Sequence, residues 1–180
     1  MWSNHINSCR SNGKLSLYAH IKKYFKLENY PLQFPSYYRK NFSKLRISAH
    51  NLAIETGRYT KPVETPREKR TCFYCKEIET EFHFIQICPL YSTLRENLYV
   101  ELSNILSINI EASEDVFHIL ISGLDGDLDV TRSFCNFLNK CVTMRSEMLC
   151  YRKETNILQR TKSVVTRSGR VSKRPPIFDI

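Results

Sequence analysis

The stretch that most restricts how this chain can fold is TCFYCKEIETEFHFIQICPLY, residues 71–91. Cys72 and Cys75 form a CxxC pair, His83 follows after seven intervening residues, and Cys88 follows after four more. Zinc takes four soft or borderline ligands in a tetrahedron, and three cysteines with one histidine are a common structural set. The pattern therefore predicts that the chain turns back on itself here to form a small Cys3His zinc module.

The spacing between the last two ligands also suits one ion. If a short helix begins at Thr80, His83 lies in its first turn and Cys88 lies just over one turn later. A closed set of four protein ligands leaves no position for a metal-bound water, so the predicted role is structural rather than catalytic.

Three other interpretations of these cysteines were weighed. A redox CxxC pair needs a βαβ context, which this segment lacks. A disulfide framework is disfavoured because seven cysteines are an odd number at irregular separations, which indicates a reducing compartment. Coincidence in a cysteine-rich apolar stretch is the serious rival and stays open. Cys135, Cys141 and Cys150 are expected to pack as small core residues.

Apolar residues at helical spacing predict a mainly α-helical fold around the zinc module. Only five glycines are present, which argues against a many-turned β-sandwich. The expected helices cover residues 14–28, 36–54, 90–106, 114–122 and 130–152. The expected segments are a basic amphipathic N-terminal segment (1–35), the zinc-binding domain (36–108), a helical extension (109–152) and a disordered basic tail (153–180).

Charge is distributed unevenly along the chain. Residues 1–71 contain 14 Lys and Arg against 4 Asp and Glu, whereas residues 72–150 contain 5 against 12. Residues 151–180 are basic again, with 8 against 2. Basic segments suit a polyanion, because each neutralised phosphate releases counterions. We therefore expect a nucleic-acid partner, bound without strong sequence choice, although lysines and arginines also simply solvate helix surfaces.

No compartment signal is evident in the sequence. The first residues, MWSNHINSCRSNGK, are polar and lack the apolar core of a secretory signal. No run of about 18 apolar residues occurs, so no membrane span is predicted. The expected location is intracellular, nuclear or cytoplasmic, with no small-molecule substrate.

Residues 44–98 resemble the C-terminal zinc-binding segment of non-LTR (LINE-type) retrotransposon reverse transcriptases. That segment combines an Arg-His helix, a CxxC pair, a Glu-rich approach to a histidine, and a Cys-Pro pair followed by an arginine. The matching positions here are Arg46, His50, Cys72, Cys75, Glu79, Glu81, His83, Cys88, Pro89 and Arg95. The resemblance implies that Cys72, Cys75, His83 and Cys88 bind Zn²⁺. It also implies a module that assists recognition of template RNA or target DNA.

The resemblance does not extend to a catalytic centre. No Tyr-x-Asp-Asp motif occurs, so paired carboxylates for two Mg²⁺ ions are missing from the sequence. No endonuclease core is recognisable either. The chain is therefore expected to be a non-enzymatic C-terminal fragment of such a polymerase.

Candidate nucleic-acid contacts lie upstream of the CxxC pair, on the CxxC turn and in the tail. Tyr59, Phe73 and Tyr74 are candidates for stacking on unpaired bases, although Phe73 equally suits a cap on the small core around the metal. His50 suits either a phosphate contact or packing on the zinc module, and packing is favoured. The basic candidates are Lys44, Arg46, Arg58, Lys69, Arg70, Arg167, Arg170, Lys173 and Arg174.

A second hypothesis fits the same residues. In it the zinc only staples helices together, the basic residues are ordinary surface, and the chain is a protein-interaction module that does not bind nucleic acid.

Overall fold

The computed structural model describes residues 15–22, 27–123 and 127–162, and over these ranges the protein is mainly α-helical, as predicted. No strand occurs in these ranges, where Thr71 and Ile78 form an isolated antiparallel bridge. The helices are α1 (Ser16–Ile21), α2 (Tyr30–Gln33), α3 (Ser36–Arg46), α4 (Ala53–Thr56), α5 (Ser92–Leu106), α6 (Glu114–Ser122) and α7 (Leu128–Lys162).

Two expected helices are shorter than predicted. The helix expected over 14–28 is α1, which ends at Ile21. The helix expected over 36–54 ends at Arg46, because the chain enters a left-handed turn at Ser48, with φ of 50°. The amide of Ala49 then donates to the carbonyl of Lys44 at 2.8 Å. This is a Schellman ending, with serine where glycine is usual, so no glycine signalled it.

Other helix boundaries agree with the sequence more closely. Helix α6 matches the predicted 114–122, since the Ser113 side chain accepts from the amide of Val116 and Gly123 ends the helix with φ of 74°. Helix α7 continues past residue 152 to Lys162, because no glycine or proline interrupts that polar stretch. The rest of the predicted tail, residues 163–180, lies outside the described residues.

An aromatic core joins the N-terminal helices to α7. Phe42 packs edge-on against Tyr30, with ring centroids 4.8 Å apart, and against Phe134 at 5.8 Å. Cys135 and Cys141 are fully buried as expected, whereas Cys150 is exposed. The segments predicted as 1–35, 36–108 and 109–152 therefore share packing contacts.

Polar contacts fix α3 on α7. The Tyr38 hydroxyl donates to the carbonyl of Arg132 at 3.0 Å and to Asn136 Oδ1 at 2.7 Å. The Asn41 amide donates to Asn139 Oδ1 at 2.8 Å. Helix α3 leads directly into His50 and α4, the segment on which the cysteine–histidine cluster rests. These contacts therefore help to fix that segment in place.

The chain divides into two compact units, residues 1–141 and residues 142–180. The first contains the aromatic core and the cysteine–histidine cluster. Within the second, the described residues are those of α7 from 142 to 162. Over the described part of the chain, none of the helices combines the length and the apolar character needed to cross a bilayer.

Candidate metal centre

The CxxC pair sits on a tight turn at the end of a short hairpin, residues 70–79. At its base the amide of Glu79 donates to the carbonyl of Arg70 at 2.9 Å, and the amide of Cys72 donates to the backbone carbonyl of Glu77 at 2.7 Å. The amide of Lys76 closes the turn onto the carbonyl of Cys72 at 3.1 Å, with Lys76 in a left-handed conformation at φ of 71°. This turn brings the two thiols of the CxxC pair to one side.

A capped helical turn supplies the other two ligands. The Thr80 hydroxyl accepts from the amide of His83 at 3.0 Å, so a short helix does begin at Thr80. It widens into a π-helical turn over His83–Ile87, in which the amide of Cys88 donates to the carbonyl of His83 at 2.8 Å. Turns of this kind recur at functional sites. In this turn a backbone hydrogen bond connects the two predicted ligand residues, His83 and Cys88.

The four predicted ligand side chains converge. Their ligand atoms all lie within 4.8 Å of one another. Cys72 Sγ and Cys88 Sγ are 3.9 Å apart, and Cys75 Sγ and His83 Nε2 are 3.2 Å apart. A tetrahedral site with Zn–S of about 2.3 Å and Zn–N of about 2.0 Å has S–S edges of about 3.8 Å and S–N edges of about 3.5 Å. The cluster therefore has the dimensions of a site that can hold a metal ion.

Burial and hydrogen bonding act in opposite directions on these ligands. Burial raises the pKa of the Cys72 thiol, while the amides of Tyr74 and Cys75, which donate to it, lower that pKa in part. Burial likewise raises the pKa of Cys88 to about 12, against a hydrogen bond from the amide of Leu90. A metal ion must therefore displace thiol protons, and the donated amides then stabilise the thiolates.

The histidine is favoured in its neutral, metal-binding form. Burial lowers the pKa of His83, and the Arg95 guanidinium acts in the same direction, whereas Glu79 and Glu77 oppose it. A neutral imidazole is the form that coordinates a metal.

Arg95 also fixes the backbone around the π-helical turn. Its guanidinium donates to the carbonyl of Ile85 at 3.1 Å and to that of Cys88 at 3.2 Å. Both carbonyls lie at the end of a helical segment, and that of Cys88 also accepts from the amide of Tyr91 at 3.2 Å. The arginine after the Cys-Pro pair therefore holds the last ligand in position.

Two glutamates attach the cluster to the preceding helix. Glu79 is buried, and its Oε2 accepts from the amide of Ala53 at 2.6 Å, at the start of α4. His50 Nε2 lies 2.9 Å from Glu81 Oε1. Burial alone would raise the pKa of Glu81, but the hydrogen bond and charge of His50 outweigh it and lower that pKa. His50 thus packs against the metal module, the alternative that the sequence favoured.

Two of the predicted nucleic-acid contacts are interior residues. Arg46 is 2% exposed and forms a double hydrogen bond with Glu28. Arg70 is 6% exposed and donates to the carbonyls of Ile54 at 2.9 Å and Thr65 at 2.8 Å, and to Glu64. Both guanidiniums are buried and bond acceptors within the fold, so these arginines stabilise the fold and do not face solvent.

The other predicted basic residues fall into three groups. Lys44 and Lys69 are exposed, and Arg58 is half-buried with its Nε 3.1 Å from Glu55. Arg67, in the helical turn just before the hairpin, and Lys76, on the CxxC turn, are also exposed, although neither was among the basic residues predicted from the sequence. Arg67 lies in a basic stretch, which was the available signal, whereas Lys76 lies in the acidic part of the chain. Arg167, Arg170, Lys173 and Arg174 lie outside the described residues.

No protein-family model, curated protein or solved structure matches this chain. The family resemblance therefore rests on the sequence pattern alone, while the metal site rests on the geometry of its four side chains.

The Thr80 cap gives a first test of the local geometry. Thr80→Ala removes the acceptor for the amide of His83 and is expected to lower stability by about 1 kcal/mol. It should also speed zinc transfer to a coloured chelator, because the π-helical turn loosens. Thr80→Ser keeps the hydroxyl and should behave as wild type. Equal release rates for alanine and serine variants would mean that the cap does not position the ligand.

Proposed function

We propose that this chain is a zinc-binding, nucleic-acid-binding module in which the metal has a structural role. The convergence of Cys72, Cys75, His83 and Cys88 carries the proposal. Three thiolates and one imidazole suit zinc, whereas magnesium and calcium prefer oxygen ligands. With all four tetrahedral positions taken by protein, the ion stabilises the turn and has no place for a reacting water.

The nucleic-acid partner follows from what surrounds that turn. We define the loop–knuckle surface as Arg67, Lys69, Tyr74 and Lys76, all of which are exposed. Arg67–Lys69 forms a helical turn just before the hairpin, and the other two lie on the CxxC turn itself. Flexible cations that contact phosphates carry little base information, so the expected binding has weak sequence specificity.

The resemblance to LINE-type reverse transcriptases suggests an origin for the module. In this proposal the chain corresponds to the non-catalytic C-terminal end of such a polymerase, works inside the cell, and has no enzymatic activity of its own. The arginine and glutamates shared with that family are the ones that position the ligands here, which supports the comparison.

A protein-interaction module is the second candidate. Leu32 and Tyr37, near the start of α3, are 68% and 77% exposed, and exposed apolar side chains of this size favour a protein partner. In this case zinc would be required for folding, and binding to RNA or DNA would be absent even at low salt.

Salt-dependent binding separates these candidates. Arg67→Ala/Lys69→Ala in the zinc-loaded chain is expected to weaken oligonucleotide binding at every sequence tested and to reduce the slope of log K against log salt by about 2. Fluorescence anisotropy measures both. Arg70 is unsuitable for this test, because its loss would disturb the fold.

The matched control removes two exposed lysines elsewhere. Lys140→Ala/Lys153→Ala changes the net charge equally and should keep most of the affinity. Equal losses in the two double variants would indicate general charge attraction, and no binding of the wild type at low salt would favour the protein-interaction module.

A further inference from the structure

We propose that the loop–knuckle surface selects single-stranded nucleic acid, with an unpaired base stacked on Tyr74 and phosphate contacts from Lys76 and Lys69. This inference rests on the proposed function and specifies its substrate. Three features of the CxxC turn support it: the exposure of Tyr74, the backbone conformation of Lys76 and the charges around them.

The metal-bearing turn holds Tyr74 toward solvent. Tyr74 lies between the two ligand cysteines and is 49% exposed. Its own amide donates to Cys72 Sγ, so metal ligation at that sulfur fixes the backbone that carries the ring. A rigid, exposed ring is a suitable stacking platform, because every base has a π-face and little side-chain freedom is lost on binding. A base within a duplex does not offer that face.

Lys76 occupies a position where glycine would fold more easily. Its φ of 71° lies in the left-handed region, which costs free energy for any residue with a Cβ. Strain of this kind persists at functional sites, where the side chain serves another purpose. Lys76 Nζ donates to the carbonyl of Phe73 at 3.0 Å, which holds the ammonium on the same turn as Tyr74. The CxxC turn therefore carries a cation as well as the exposed ring.

The surrounding charges favour a phosphate backbone over an acidic peptide. Along the exposed residues from 67 to 77, three cations accompany two acids, Glu68 and Glu77. The hairpin bonds from Glu79 to Arg70 and from Cys72 to Glu77 connect the cations at its base with the ring at its tip. A single strand of nucleic acid that runs along the hairpin would therefore contact Lys69, Tyr74 and Lys76. Interleaved cations and an aromatic ring are the usual surface of single-strand binders.

Tyr74 tests the stacking step. The zinc-loaded full chain should bind labelled oligouridine or oligothymidine more tightly than a duplex of equal length. Tyr74→Ala should weaken single-strand binding by about tenfold with little effect on duplex binding. Tyr74→Phe keeps the ring and should bind single strands as tightly as the wild type. Tyr37→Ala removes an exposed ring elsewhere, 77% exposed against 49% for Tyr74, and should have no effect.

Lys76→Gly tests the phosphate contact without the ambiguity of misfolding. Glycine relieves the left-handed strain, so thermal stability should stay equal or rise. Binding should nevertheless weaken, with a salt slope smaller by about 1. A lower melting temperature together with wild-type affinity would show that Lys76 serves the fold alone.

The outcomes distinguish this inference from the proposed function. Equal affinity for single strand and duplex, with no effect of Tyr74→Ala but a loss in Arg67→Ala/Lys69→Ala, would overturn single-strand selection and leave general nucleic-acid binding intact. Absence of binding to either form would overturn both. A tenfold loss in Tyr74→Ala confined to single strands supports the inference.

Discussion

Cys88→Ser is expected to abolish stoichiometric zinc binding and to unfold the segment from Arg70 to Cys88. Phe84 and Ile85 of this segment are buried, but the CxxC turn is connected to the helical turn that carries them through the four ligand side chains. Structural zinc contributes an apparent binding free energy of about 10–16 kcal/mol in small modules, which equals the whole stability of many domains. Serine is a much poorer zinc ligand than a thiolate, so most of that free energy is lost.

Metal analysis and hydrogen exchange measure this result. The variant should contain less than stoichiometric zinc, and amides such as that of Cys72 should lose their protection. Cys150→Ser is the matched control, because Cys150 is exposed and lies outside the cluster, and it should keep both zinc and protection. Full zinc content and unchanged protection in Cys88→Ser would contradict the assignment of this ligand.

Arg46→Ala is expected to destabilise the protein by about 3 kcal/mol, although the sequence suggests a surface cation. Its guanidinium lies 5.2 Å from the ring centroid of Phe42 and 5.4 Å from that of Tyr30, and it bonds both oxygens of Glu28. Removing one partner of a buried ion pair costs about 3–5 kcal/mol, and the partial exposure of Glu28 favours the lower end. Urea denaturation measures the change.

Lys44→Ala is the control, because Lys44 lies on the same helix but is exposed, and its effect should stay within about 0.5 kcal/mol.

The wild-type protein and Arg46→Ala should also differ in how their stability depends on pH. Burial would raise the pKa of Glu28, but Arg46 and Lys22 outweigh it and lower that pKa below 4.5. Stability from this pair is therefore present above pH 4.5 and is lost as pH falls through the lowered value. The difference in the free energy of unfolding between wild type and Arg46→Ala should therefore become smaller in that acidic range.

The ligand set could be predicted from the sequence because its determinants are local. A CxxC turn and a capped helical turn bring the four side chains together within one short segment, so spacing alone anticipates their convergence. The Thr80 cap was visible for the same reason. What spacing did not reveal is the π-helical form of the turn, since no residue type marks it.

The role of the arginines could not be predicted, because their partners are remote or irregular. Arg46 lies on α3 and meets Glu28, which precedes that helix, and Arg70 meets backbone carbonyls of Ile54 and Thr65. Helical periodicity places a charged residue on a surface by default. Only the three-dimensional path of the chain shows that these two cations satisfy buried acceptors.

Gly57 shows how that path depends on close contact. A Cβ at this position would lie 2.7 Å from Arg70 Cδ, so the arginine stem occupies the space that any other residue would fill. Gly57 is the C-cap of α4, and it also leaves room for the Arg70 side chain that donates to the carbonyl of Ile54.

Zinc-edge X-ray absorption on the purified full chain tests the central claim most directly. The account predicts one zinc per chain, with three sulfur ligands at about 2.3 Å and one nitrogen ligand at about 2.0–2.1 Å. A site with fewer than three sulfurs, with an oxygen ligand in the first shell, or with no stoichiometric metal would contradict a closed structural centre made by Cys72, Cys75, His83 and Cys88.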